Sequence, residues 1–205
     1  MQTKSHEADS LMTDFLAPLL KRRSTPIRQL GGSAPDPATL NRLLEAAIRV
    51  PDHGKLEPFR LILLEGEAKL DFGERLVERA LRREPGLSAA QQEKERLRYT
   101  FAPLVIAVIA RIDPAHKVPV LEQQLSAGCV AYNLLLGASQ IGLGAQWLTG
   151  WAAYDPEVAA LLGLMPNEQV IGFVHLGQAR GELPERSRPE LGKLVSRWKP
   201  ATVTA

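Results

Sequence analysis

Apolar positions along this chain fall either at helical spacing or in short continuous runs. Leu40, Leu43, Leu44, Ala47 and Ile48 follow one another at the spacing of a single helical face. Asp36 and Pro37 stand before them as an N-cap and a first-position proline, while Pro51 stops the run and pushes Val50 out of helical space. An earlier helix is expected from about Thr13 to Arg23, with Pro18 in its first turn or at a kink. Residues 67–83 and 88–99 read as helices with charged faces, broken at Pro85-Gly86. A long helix is predicted from Pro119 to near Gly142, and a short one opens at Asp155-Pro156. Strands are expected at Arg60–Glu65, Leu104–Ala110, Ala145–Thr149 and Val170–Leu176. Their continuous apolar runs predict strands buried on both faces. Helices before, between and after a few such strands predict a layered α/β or α+β domain. The tail from Gln178 has no period, so it is expected to be disordered or an extended arm; Trp198 favours an arm with an anchor.

Composition narrows the class without naming a chemistry. At 205 residues, with no repeat or Gly/Ser linker, one domain over residues 1–205 is expected. A net charge of +2 leaves no nucleic-acid footprint. The lone Cys129 excludes an intramolecular disulfide and a multi-thiolate metal site, and His6, His53, His116 and His175 form no HxH or HExxH pair, so no metal is expected. The first apolar stretch, Leu11 to Leu16, is short and carries an acid, unlike a signal peptide. The reading is a soluble, reduced, cytoplasmic protein with no membrane partner. From Gln123 to Tyr154 no side chain is charged, a length that raises a membrane span. Gln123, Gln124, Ser126, Asn133, Ser139, Gln140 and five glycines interrupt it, so a buried helix followed by a buried strand is the better reading. Ser126, Ala127, Gly128 and Ala131 permit close helix packing there, either within the chain or against a second copy.

Three segments carry candidate chemistry. Arg22-Arg23-Ser24-Thr25-Pro26 is either a helix end followed by a turn, or a phosphate clamp of two guanidinium forks and a hydroxyl. The loop from Val50 to Arg60 is dense in Pro, His, Lys and Arg; a turn needs its Pro, Asp and Gly but not His53 or Lys55. Gly142 to Trp151 contains a GxG that precedes a strand, which is not the dinucleotide fingerprint. Cys129 lies in the expected buried helix with no evident base, so packing is its better role. Without a P-loop, a GxSxG elbow or a metal cluster, any catalysis falls to a bound cofactor. Arginines and a serine near an apolar strand suit a phosphorylated aromatic ring.

Taken in order, RRSTP at 22–26, RVPDHGKLEPFR at 49–60, HKVP with EQ and SAGC across 116–129, and QIGLGAQWLTG at 140–150 resemble the small one-domain NAD(P)H nitroreductases. The similarity runs over residues 13–178, leaving 179–205 as a C-terminal arm. The resemblance implies a three-layer α+β fold whose central, mostly antiparallel sheet is flanked by helices. It implies a homodimer with FMN at the subunit interface and NADH or NADPH as electron donor. By matching positions, Arg22, Arg23 and Ser24 would hold the FMN phosphate and ribityl chain. Arg49 and His53 would contact the flavin, and Trp147, Leu148 and Thr149 would meet it from the other chain. General family geometry adds Arg180 at the phosphate. Gly137, Ala138, Ser139, Gln140, Ile141 and Gly142 match the nicotinamide-nucleotide segment. Phe59 stands where relatives carry Trp, and Leu148 where some carry a basic residue. The implied activity is ping-pong hydride transfer from NAD(P)H through flavin N5 to nitroaromatics, quinones or similar acceptors. A dehydrogenase or ene-type reductase, or an FMN-binding module without turnover, remains open at this point. Lys55 and His116 receive no role.

Overall fold

The computed structural model describes residues 15–200. The first helix, α1, occupies residues 15–21, so the expected start at Thr13 lies outside the described residues. Pro18 stands inside it, and its carbonyl accepts a 3.1 Å bond from the Arg22 N–H as the helix ends. Arg22 and Arg23 therefore follow the helix instead of closing it. Helices α2 (Pro37–Ala47), α3 (Gly66–Arg83), α4 (Ala89–Arg98), α5 (Val120–Gln140) and α6 (Pro156–Leu161) match the apolar spacings, and a single turn, α7 (Leu191–Leu194), lies in the tail. Asp36 and Asp155 cap α2 and α6 through their carboxylates, each with proline at the first helical position.

The strands are β1 (Leu30–Gly31), β2 (Phe59–Glu65), β3 (Leu104–Arg111), β4 (Gly144–Leu148) and β5 (Glu168–Ala179). Every pairing is antiparallel: β2 with β3, β3 with β5, and β5 on its other side with β4 at residues 173–177 and β1 at 178–179. β3 lies at the centre, buried throughout from Leu104 to Ala110. β2 is an edge strand, with no second neighbouring strand among the described residues, and here the expected two-sided burial fails: Leu63 stays 36% exposed. A register shift at Val108/Ile109 bends the β3–β5 pair.

Alternation along the buried strands divides the interior into two cores. Leu104, Ile106, Val108, Val174 and Leu176 face Leu40, Leu43 and Ala47 of α2 and Val130, Ala131, Leu134 and Ala138 of α5. Val105, Ala107, Ile109, Val170 and Phe173 face Phe72 and Leu76 of α3, Tyr99, and Val158 of α6. Helices thus cover both faces of one antiparallel sheet, the three-layer α+β arrangement expected.

The charge-free stretch forms α5 and β4. Ser126, Ala127 and Ala131 are buried inside the chain, so this part of the small-residue stripe serves intrachain packing. The polar residues of α5 satisfy neighbouring backbone. Gln123, 1% exposed, accepts from the Asp113 N–H at 2.8 Å and donates to the Asp113 and Val118 carbonyls at 2.9 and 2.8 Å. That explains why uncharged polar groups tolerate burial here. His116 belongs to the same turn, its Nδ1 accepting from the Val118 N–H at 3.1 Å. No helix among the described residues is long and apolar enough to cross a membrane.

His175 on β5 is fully buried beside Tyr99, with both ring nitrogens lacking a partner. Burial first, then Arg98 and Lys69, pulls its pKa from 6.5 down to about 3. The folded state therefore binds this proton later than the unfolded chain. Stability present above pH 6.5 is lost as pH falls toward 3, at about 1.4 kcal/mol per pH unit. In His175→Phe, which keeps the ring against Tyr99, that part of the acid loss disappears. Urea denaturation at pH 7 and pH 5 checks it: the wild type loses about 2 kcal/mol more than the variant on acidification.

Candidate functional site

The segment after α1 is held against the sheet edge by its backbone. The Thr25 N–H donates to the Ala145 carbonyl at 2.9 Å, and the Ile27 N–H to Gln146 Oε1 at 2.8 Å. This docks Arg22, Arg23 and Ser24 beside β4. Among the described residues, Arg22 Nη1 is buried and has no partner. Arg23 Nη1 donates to the Leu20 and Arg22 carbonyls at 3.1 and 3.0 Å, and its Nη2 pairs with Glu185 of the tail. Burial, then repulsion from Arg188 and Arg22, lowers the Arg23 pKa. Ser24 is exposed. Arg180 leaves the end of β5 and returns along the same segment: its N–H donates to the Gln29 carbonyl at 2.8 Å. Its guanidinium lies over Gly31, where any side chain would collide with it. Gln29 adds a second orphan, a buried Oε1 with no partner. Arg22 and Arg23 thus stand side by side with one guanidinium nitrogen unsatisfied, a donor set suited to an anion.

The second group sits where α2 meets α5. Asn133 Nδ2 donates to the Ala47 and Arg49 carbonyls at 3.3 and 3.1 Å, and Ser126 Oγ to the Pro51 carbonyl at 2.8 Å. The following loop is strained: Lys55 and Glu57, neither of them glycine, hold φ of 55° and 51°. Asp52 enforces this, its carboxylate accepting from the Leu56 and Glu57 N–H groups at 3.0 and 2.9 Å. The result presents His53 to solvent, where its Nδ1 lies 2.8 Å from Glu122 Oε2 of α5. Arg49 is exposed in an open groove with Arg42, Glu45, Ile48 and Val50. Arg60, which closes the loop motif, is structural: its Nε and Nη2 clamp Glu168 at 2.7 Å each and hold that carboxyl down to about 2.

Trp147, Leu148 and Thr149 are half-buried at the end of β4. The Trp147 indole lies across Gly172, which has no side chain to obstruct it, and donates to the Ile171 carbonyl at 3.3 Å. Gly137 and Ala138 fall in the last turn of α5; Ala138 is fully buried and Gly137 backs onto Leu43. Of the six only Ala138 is shut off from solvent; Gly137 and Ser139 are partly exposed, and Gln140, Ile141 and Gly142 are exposed. Among the described residues no hydrogen bond or ion pair joins the Arg22–Ser24 group to the Arg49–His53 group.

Four residues enter the site without having been candidates. Asp52 was legible as turn chemistry but not as the organiser of positive-φ residues three and five positions away. Glu122 and Arg188 carry no local signal, since each acts through a partner distant in sequence, and Gln29 stands out only by its orphaned oxygen.

The Nitroreductase family model matches residues 19–178, and the chain belongs to that family. The Escherichia coli (strain K12) protein named "Putative NAD(P)H nitroreductase YdjA" is 33% identical over 164 residues, covering 80% of this chain and 87% of that one. A Haemophilus influenzae relative with the same nitroreductase designation is 37% identical over 165 residues, covering 80% and 88%. A nitroreductase-like protein from Bacillus cereus superposes with a TM-score of 0.73 at 23% identity, covering 89% of this chain and 95% of that one. A Bacteroides fragilis nitroreductase with bound FMN superposes at 0.67 and 22% identity, covering 89% and 97%. At these identities the superpositions establish the shared fold.

Proposed function

We propose that this chain is an FMN-dependent NAD(P)H oxidoreductase that reduces nitroaromatic, quinone or similar acceptors by a ping-pong mechanism. In this reading it is a single domain over 1–205, working in the cytoplasm as a homodimer. The observation that carries the proposal is the buried, unpartnered Nη1 of Arg22 beside Arg23 and Ser24. A guanidinium nitrogen left without an acceptor in a water-poor position is costly, and a phosphomonoester dianion supplies the missing acceptor. The family relationship and the FMN reported for the Bacteroides fragilis structure select FMN among phosphorylated aromatics.

Arg22, Arg23 and Ser24 would hold the phosphate and the ribityl chain, with Arg180 at the phosphate. When bound, FMN supplies hydride acceptance from NAD(P)H and transfer onward to the acceptor. Arg49 and His53 would contact the flavin from a strained loop that fixes their direction. A cation near the pyrimidine end stabilises the charge that reduction places there. Trp147, Leu148 and Thr149 would close the site from the second copy, and the segment from Gly137 to Gly142 would receive the nicotinamide nucleotide.

Two features support a shared site. The two groups are not joined among the described residues, and apolar side chains stand exposed on two helices. Phe15 and Leu20 of α1 are 79% and 67% exposed, and Leu121 and Leu125 of α5 are 63% and 58% exposed. Such faces need a cover, and a second copy provides it symmetrically. Light scattering after size exclusion, with flavin absorbance recorded on the same peak, tests this. A dimer carrying FMN in equal proportion to protomers is expected; a colourless monomer after FMN reconstitution contradicts it.

A further inference from the structure

The C-terminal arm reaches the anion site. Glu185 pairs with Arg23 Nη2 through Oε2, while its Oε1 accepts from the Arg186 N–H at 3.0 Å. Three residues on, Arg188 Nη2 approaches the Arg22 carbonyl at 3.5 Å. Arg22 and Arg188 therefore come close enough to Arg23 to repel it, and Glu185 pairs with Arg23. Like charges converge at a cost unless an anion completes the set. Glu185 supplies only part of it, since the side chain is 67% exposed and Arg22 Nη1 stays unpartnered. An exposed carboxylate holds a guanidinium weakly, and a dianion with three acceptor oxygens displaces it readily.

We infer that Arg188 is a further phosphate-binding residue, contributed by the arm, and that Glu185 is an internal placeholder which yields Arg23 to the phosphate. This rests on the FMN reading above and extends it to a segment outside the matched motifs. Glu185 and Arg188 are exposed residues of an irregular arm, so their replacement leaves both cores untouched.

Equilibrium titrations of FMN and of riboflavin, followed by quenching of flavin fluorescence, separate the roles, because riboflavin lacks the phosphate. Arg188→Ala is expected to raise the FMN Kd about tenfold, and Glu185→Gln to lower it roughly threefold, with riboflavin affinity unchanged in both. FMN affinities equal to wild type in both variants would overturn the inference, as would parallel changes for FMN and riboflavin. A wild-type chain that binds neither flavin removes the underlying functional reading instead, so the two failures are distinguishable.

Discussion

Arg22→Ala lowers FMN affinity by about 10- to 100-fold and leaves the apoprotein as stable as before. The affinity loss follows from removing charge-assisted hydrogen bonds to a phosphate, each worth about 1.5–3 kcal/mol. The unchanged apo stability follows from the orphan: among the described residues, Arg22 Nη1 is buried without a partner, so deleting it removes a penalty as well as a side chain. The two effects combine in a thermal shift experiment. FMN raises the wild-type Tm by mass action and raises the variant's much less at the same concentration. An Arg22→Ala variant that melts like wild type both with and without FMN contradicts the clamp.

Asp155→Ala is expected to cost about 3 kcal/mol, lowering Tm by roughly 10 °C. Asp155 is 5% exposed and does two jobs. Its Oδ1 accepts from the Glu157 and Val158 N–H groups at 3.0 and 3.2 Å, capping α6. Its Oδ2 accepts from Arg79 and Arg83 of α3 at 2.9 and 3.0 Å, fastening α6 to the helical layer. Alanine deletes the cap and strands Arg79, which keeps only its 2.7 Å pair with Glu157. Arg79 foremost, against the opposing effect of burial, holds the Asp155 carboxyl below its ordinary 3.8. This contribution is therefore complete at neutral pH and is lost as pH falls below that value. Asp155→Asn keeps an oxygen for the cap and should recover about half of the loss. Melting within a few degrees of wild type for Asp155→Ala would show that the network carries little.

The elements that dominate the fold were legible because their signals are local. Asp36-Pro37 and Asp155-Pro156 mark helix starts chemically, and the run Leu104–Ala110 can only be a strand buried from both sides. Less legible was β1, two residues long and defined only by its pairing with Gln178 and Ala179. The extent of β5 was also hidden, since its ends are polar and belong to the sheet through β1 and β3. Trp198, read as an anchor, is 85% exposed, so it is not packed against the described residues. At the site, the arginines announce themselves by type, whereas the orphaned atoms that give them meaning appear only in three dimensions. Arg60 shows the converse: a residue inside the most specific motif whose partner, Glu168, makes it structural.

This chain is expected to hold FMN and to let a nicotinamide nucleotide reduce it. The direct measurement is an anaerobic titration of the FMN-loaded protein with NADH and, separately, NADPH. Stoichiometric bleaching of the visible flavin absorbance by at least one nucleotide, reversed on adding a nitroaromatic or quinone, is the predicted result. A flavin that stays bound and yellow through an excess of both nucleotides would contradict it.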